Sequence, residues 1–141
     1  MDEKPIADSA AKLAKLEERA KGTFWETLGC KAAEVSAERV VVTLEAEERH
    51  LNAMRIVHGG VLSSLIDNAM GLAVLFALPE GARTVTTNLN VHFVAPLERG
   101  TIVTEARVLH RSRSTFTVQA TVMDASGKLG TIGTGSFRVL D

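Results

Sequence analysis

Hydrophobic and polar residues repeat along the chain with two periods, and the change of period divides the sequence into helices and strands. Apolar residues at helical spacing between positions 13 and 20 predict a first helix, capped by Asp8 or Ser9 and running to about Lys21. Gly22 follows and is expected to end it. Residues 1–22 are therefore interpreted as an N-terminal helical segment.

Two short strands are predicted after this segment. Residues 31–36 and the alternating apolar positions of residues 40–44 have the period of half-buried strands, and the polar residues 37–39 between them are typical of a turn. The pattern indicates an opening hairpin.

The longest apolar stretch, residues 60–78, has the composition of a buried helix. Nearly every position is apolar or small, so we expect this helix to be wrapped on most sides and to end at Pro79. Its length would allow a membrane span, but Asp67 near its centre would cost roughly 2.5–3.5 kcal/mol on insertion scales. We therefore predict a core helix of a soluble domain.

Four segments of period two complete the chain, at residues 84–94, 101–110, 115–124 and 129–140. Turn-forming residues separate them, so the order predicts four strands in a meander. Sheet strands need cover on one face and the apolar helix needs cover on most sides. The predicted fold is α+β, with a sheet curling round one central helix and residues 23–141 forming a single domain.

Composition and charge narrow the class of protein. With 141 residues and 45% hydrophobic side chains, the chain fits one domain with a full core. Sixteen basic and 17 acidic side chains leave a formal charge of −1, so the electrostatic field of the whole molecule is not expected to attract nucleic acid or an anionic membrane. The single cysteine, Cys30, cannot form an internal disulfide, and no apolar signal-like run opens the sequence. We expect a cytoplasmic protein.

Asp67 is the only charged residue of the central helix. A structural acid, paired with an arginine or capping a backbone group, is one explanation, and a functional carboxylate is the other. Gly59 and Gly60 stand at the start of the same helix, where free N–H groups and the helix dipole could hold a developing oxyanion. Eight residues separate Gly59 from Asp67, or about 12 Å along a helix. A shared site therefore requires the Gly59 amide of a second subunit.

These residues carry a resemblance to a known family. Asn52, the triplet His58-Gly59-Gly60 and Asp67 nine residues after the histidine resemble the PaaI-like (phenylacetyl-CoA) thioesterase branch of the hotdog-fold superfamily. The strand and turn of residues 89–100 fit the same family, and the match runs from about residue 24 to 139. The resemblance implies a hotdog fold, in which a curved antiparallel sheet wraps around one long central helix.

The resemblance also implies catalytic roles. The Gly59 amide would polarise the thioester carbonyl, while Asp67 would act either as nucleophile or as general base on water. Asn52 matches the position that orients the water or the carboxylate. Thr86 matches a hydroxyl that assists the water, and we expect it to share a polar strand face with Thr84, Asn88 and Asn90.

Other residues are assigned to binding or to the loop. His58 is expected to fix the loop by hydrogen bonding more than to transfer protons, and Gly60 completes the binding loop. Arg55 replaces a glycine common in relatives, so the loop could bend differently, or Arg55 could narrow the acyl pocket or bind an anion. Arg111, Ser112 and Arg113 are candidates for the coenzyme A phosphates, with a solvated hairpin tip as the alternative.

The function expected from all of this is hydrolysis of acyl-CoA to free acid and coenzyme A, with aryl-acetyl or medium-chain acyl groups leading. Coenzyme A is part of the substrate, and neither a cofactor nor a metal is expected. The resemblance implies a homodimer formed through the sheet, or a dimer of dimers. A hotdog enoyl-CoA hydratase or dehydratase and a non-catalytic acyl-CoA-binding regulator stay as alternatives.

Overall fold

A computed structural model describes residues 6–141, with side chains from Ser9 onward. The elements in chain order are α1 (Ile6–Ala20), α2 (Phe24–Leu28), β1 (Lys31–Val35), β2 (Val40–Ala46), a 3-10 turn (Glu48–His50), α3 (Gly59–Phe76), β3 (Arg83–Phe93), β4 (Gly100–Arg111), β5 (Thr115–Asp124) and β6 (Leu129–Leu140). The predicted helices and strands are all present. Only α2 and the 3-10 turn were not predicted.

The start of α1 differs from the prediction. Helical backbone already begins at Ile6, so Asp8 and Ser9 lie inside the helix and the predicted cap is wrong. Asp and Ser cap a helix only where the backbone before them is not helical. Helix propensity is a weak guide to whether the preceding backbone is helical. The helix ends at Ala20, and Gly22 has a left-handed φ of 75°, as expected for a terminating glycine. Residues 1–5 of the predicted N-terminal segment lie outside the described residues.

All six strands form one antiparallel sheet in the order β1-β2-β4-β5-β6-β3. The predicted four-strand meander is therefore wrong for β3, which pairs with β6 at the edge of the sheet and not with β4. The link after β3 crosses the end of β6, where the Val94 and Ala95 amides donate to the Gly130 carbonyl. Leu97 of this link is buried in the core and anchors the crossing.

Helix α3 packs against the concave face of the sheet, where glycines of β6 let it approach closely. A Cβ at Gly133 would lie 2.7 Å from Ile66 Cγ2, and one at Gly135 would lie 2.8 Å from Met70 Cε. Both distances are too short for real contacts, so side chains of the helix occupy the space that larger strand residues would need. The close approach of α3 to β6 depends on these glycines.

The opposite side of α3 is only partly covered, contrary to the prediction that most sides would be wrapped. Its half-buried positions are Ser63, Ser64, Asp67, Asn68, Gly71, Leu72 and Leu75. One concave sheet can cover only one side of a helix, so this stripe stays partly open, with α1 and Trp25 near its Leu72 end. By length and composition α3 could cross a membrane, with a mean hydropathy of 1.5, but its buried side forms the core of this fold.

Replacing Gly133 by alanine tests the helix–sheet contact. We expect Gly133→Ala to lower the free energy of unfolding by about 1–3 kcal/mol, because the new methyl group would overlap Ile66. Thr134→Ala is the matched control on the exposed face of the same strand and should change stability by less than about 0.5 kcal/mol. Urea unfolding measures both. Equal stabilities would contradict the packing described here.

Candidate active site

Asp67 and Thr86 meet at the open side of the central helix. Thr86 Oγ1, on β3, donates a 2.7 Å hydrogen bond to Asp67 Oδ1 on α3. Asp67 is half-buried and, within residues 6–141, takes part in no ion pair, so the alternative of an acid held by an arginine is not what the fold builds. The carboxylate faces a groove lined by Trp25, Asn68, Gly71, Leu72, Leu75, Thr84, Thr86 and Phe137.

A β-bulge at Thr87 brings Thr86 to the helix side of the sheet. The register with β6 shifts between Thr86 and Asn88, so one extra residue reverses the alternation of side chains. Thr84 and Thr86 therefore share the helix-facing side with Leu89, while Asn88 and Asn90 point to the other face. The Asn90 amide donates to Asn88 Oδ1 at 3.1 Å on that face. The predicted polar face of Thr84, Thr86, Asn88 and Asn90 is wrong because strict alternation was assumed.

Cys30 is the one cysteine and does not have the properties of a nucleophile. Its side chain is buried, and burial raises the pKa of the thiol to about 11, although a 3.6 Å hydrogen bond from Asn68 Nδ2 lowers it somewhat. A thiol with that pKa is almost fully protonated at neutral pH. Asp67 is thus the better candidate for the reacting group.

Gly59 is the first residue of α3, at the positive end of the helix dipole. Among the described residues its N–H donates to no acceptor. A Cβ at this position would lie 3.2 Å from Phe93 Cζ, so the aromatic ring packs directly against the glycine. The free amide lies beside a groove lined by Asn52, Ile56, Val57, Leu62, Phe93, Val94, Ala95, Pro96 and Leu97.

His58 caps the same helix. Its Nδ1 accepts a 2.8 Å hydrogen bond from the Gly60 amide, which is the loop-fixing role expected from the sequence. The Nδ1 lone pair is used in this cap and is not available to take a proton from water. Gly60 is held by His58, so the Gly59 N–H is the amide at this helix start that is left for a ligand.

The side chain of Asn52 organises the loop before α3. Its Oδ1 accepts from the Met54 amide at 2.9 Å and from the Ile56 amide at 3.4 Å, and its own backbone N–H donates to the Ile56 carbonyl. Within the described part of the chain, Nδ2 makes no hydrogen bond. That N–H₂ group is the part of Asn52 that could contact water or substrate.

Arg55 keeps a backbone conformation that usually needs glycine. Its φ is 66°, so the loop takes a left-handed bend in spite of the side chain. The guanidinium pairs with Glu48 at 2.5 Å, and this hydrogen bond holds the pKa of the Glu48 carboxyl below its ordinary value. Arg55 thus ties the loop to the 3-10 turn, and its charge is already partnered by a carboxylate.

In the predicted phosphate-binding turn, some side chains already form contacts within the fold and one does not. Arg111 Nη1 donates to the Ala77 carbonyl at 3.1 Å, and its guanidinium lies over the Phe116 ring at 4.9 Å. Ser112 donates within the turn itself. Arg113 is exposed and forms no ion pair with any described residue, so it is the one group of the three not engaged by the fold.

Six of the predicted site residues line three separate grooves of one chain, while Arg55, Arg111, Ser112 and Arg113 line none of these grooves. Asp67 and Thr86 line the first, Asn52 and Gly59 the second, and His58 and Gly60 a third beside Arg49 and Phe24. This separation agrees with the expected distance between Asp67 and its own Gly59. Sequence reasoning missed Trp25, Leu72 and Phe93 as lining residues, because apolar side chains at groove edges have the same pattern as core residues.

The sequence of the chain is similar to that of a known protein family. The family model described as the thioesterase superfamily matches residues 54–131, more than half of the chain. Acyl-coenzyme A thioesterase 13 from Homo sapiens is 33% identical over 93 residues, which is 64% of this chain and 66%, just under two thirds, of that protein.

Two solved structures are similar in fold. A thioesterase from Haemophilus influenzae superposes with a TM-score of 0.86 at 20% identity, covering 92% of this chain and 90% of that one. A candidate thioesterase from Ralstonia eutropha, described as a phenylacetic acid degradation-related protein, gives a TM-score of 0.76 at 28% identity, covering 81% of this chain and 87% of that one.

Substitutions at Arg55 test the strained loop. We expect Arg55→Val to lower the free energy of unfolding by at least about 1 kcal/mol, because a β-branched residue tolerates left-handed backbone poorly. Arg55→Gly loses the exposed ion pair with Glu48 but relieves the backbone, so it should be as stable as the parent within about 1 kcal/mol. Chemical denaturation of the three proteins gives the order. A valine variant as stable as the glycine variant would contradict the strained conformation.

Proposed function

The chain belongs to the thioesterase superfamily and has the hotdog fold, and from this premise we propose that it hydrolyses acyl-CoA thioesters at a site shared between two subunits. The observation that carries the proposal is the Thr86–Asp67 hydrogen bond on the open side of α3. It supplies an oriented carboxylate, without an ion-pair partner among the described residues, in a groove large enough for a reacting group, about 270 Å³.

Asp67 performs the central step in one of two ways. As general base, it takes a proton from water while the water oxygen attacks the thioester carbonyl carbon; as nucleophile, it forms an acyl-enzyme anhydride that water then hydrolyses. In either case the C–S bond breaks, the coenzyme A thiolate leaves and takes up a proton, and the free acid is released. Thr86 orients the carboxylate, and the Asn52 amide is the candidate for holding the water.

The Gly59 amide stabilises the negative charge that develops on the carbonyl oxygen. Within one chain this N–H lies in a different groove from Asp67, so the partner subunit has to supply it. Side-by-side α3 helices running in opposite directions would place each Gly59 near the Asp67 of the other chain. Such an arrangement gives two equal sites per dimer.

The unpaired edge of β3 supports dimerisation through the sheet. This edge strand has eleven residues, and large apolar side chains beside it are exposed, namely Val85, Leu89, Phe93 and Val94. A long unprotected edge of this kind favours pairing with another strand. Antiparallel pairing of β3 with its copy would cover the edge and bring the two helices together. A dimer of dimers is the further assembly that the resemblance implies.

For substrates we propose aryl-acetyl or medium-chain acyl groups carried by coenzyme A. The similarity to a human acyl-coenzyme A thioesterase and to a phenylacetic acid degradation-related protein supports this choice. Arg113 is the exposed cation proposed for the coenzyme A phosphates. Hydration of an enoyl-CoA and non-catalytic binding of acyl-CoA are less well supported, because thioester hydrolysis is the chemistry that names the superfamily.

Replacing the carboxylate tests the proposal. We expect Asp67→Asn to fold like the parent and to lose at least about 10²-fold in turnover of phenylacetyl-CoA, because the amide cannot act as base or nucleophile. Thr86→Val should lose activity by removing the hydrogen bond, while the control Thr86→Ser, which keeps the hydroxyl, should retain most of it. Turnover by all four proteins is measured as the release of free thiol. Near-parental turnover in Asp67→Asn would exclude the mechanism, and intact acyl-CoA with the parent protein would exclude the reaction.

A further inference from the structure

A small apolar cavity of about 160 Å³ lies between α1 and α3, outside the groove that contains Asp67. Apart from Glu17, the residues around it are apolar: Leu13, Leu16, Ala20, Trp25 and Leu72. Its volume is close to the roughly 150 Å³ of an apolar cavity that takes up a benzene ring. The cavity therefore has the size and chemistry to hold one compact apolar group.

This cavity adjoins the candidate catalytic groove. Trp25 and Leu72 line both spaces, and Leu72 follows Asp67 on the same open side of α3 by about 7.5 Å along the helix axis. A ligand whose carbonyl lies at Asp67 can extend past Trp25 toward α1. The opposite direction along α3 leads to Gly59 and away from this cavity.

Specific contacts hold α1 over the end of α3, so the cavity has a defined outer wall. Lys12 Nζ donates to the Leu75 carbonyl at 2.5 Å, near the end of α3, and to the Leu78 carbonyl at 2.7 Å, just beyond that helix. Lys15 adds an ion pair with Glu80 at 2.6 Å. The position of α1 is thus tied to the helix that carries Asp67.

We propose that the cavity between α1 and α3 binds the apolar end of the acyl group and makes α1 the element that selects the substrate. The inference rests on the proposed thioester hydrolysis and adds to it the place where the acyl end lies. It assigns to Leu13, Leu16 and Ala20 a role in specificity. The preferred substrates are those whose acyl group ends in one phenyl-sized unit, and acetyl-CoA leaves the cavity empty.

Filling the cavity from α1 tests the inference. Ala20→Phe places a ring in the space, whereas Ala14→Phe adds the same ring to the exposed face of the same helix. We expect Ala20→Phe to lower the ratio of kcat/KM for phenylacetyl-CoA over acetyl-CoA by about ten- to a hundredfold, the effect of losing one buried ring. Ala14→Phe should keep the parental ratio. Ala20→Leu, a smaller filling, serves if the phenylalanine variant does not fold.

A second readout does not need turnover. Trp25 is the only tryptophan of the chain, so its fluorescence reports ligand entry. Titration with phenylacetate should change the emission of the parent and of Ala14→Phe but not of Ala20→Phe. Equal substrate ratios and equal fluorescence responses in all variants would overturn the cavity assignment while leaving hydrolysis intact. An inactive parent whose fluorescence still responds, with the response lost only in Ala20→Phe, would overturn the proposed hydrolysis and keep the cavity as a binding site.

Discussion

The close contact between α3 and the glycines of β6 sets the position of the central helix, on which the candidate site depends. Ile66 and Met70 occupy space that a side chain at Gly133 or Gly135 would fill, so the helix lies deep in the concave sheet. Burial of one helix side also determines which side stays open. Asp67 follows Ile66 directly and therefore stands at the border between the core and the open side, where a carboxylate can stay hydrated and still be oriented.

A second local feature turns this position into a candidate site. The bulge at Thr87 shifts the alternation of β3, and Thr86 consequently reaches Asp67 from the neighbouring strand. The helix start contributes another part, because the His58 cap uses the Gly60 amide and leaves that of Gly59 unpaired among the described residues. The two parts lie in separate grooves of one chain. We therefore interpret the dimer as having two sites, with each chain contributing one part to each site.

Much of this architecture could be predicted from the sequence. The periods of the apolar residues gave the strands and the central helix within one or two residues, and the charge of Asp67 in an apolar segment drew attention to the site. The pairing of β3 with β6 could not be predicted, because strand order depends on the crossing anchored by Leu97. The bulge at Thr87 and the left-handed backbone at Arg55 were also hidden, since neither residue type favours those conformations.

The central claim is that Asp67 of one subunit works with the Gly59 amide of the other, and subunit mixing tests it most directly. Gly59→Pro removes the N–H group, and the first position of a helix accepts proline. The preceding residue, His58, has a ψ of 137°, which suits a residue before proline. Gly59→Ala is the control, because it adds a Cβ at the same place but keeps the N–H. Equal amounts of inactive Asp67→Asn and Gly59→Pro chains, refolded together, should regain about a quarter of parental activity, because half of the dimers would hold one intact site. No activity above that of the separate variants would place the whole site in one chain and contradict the account.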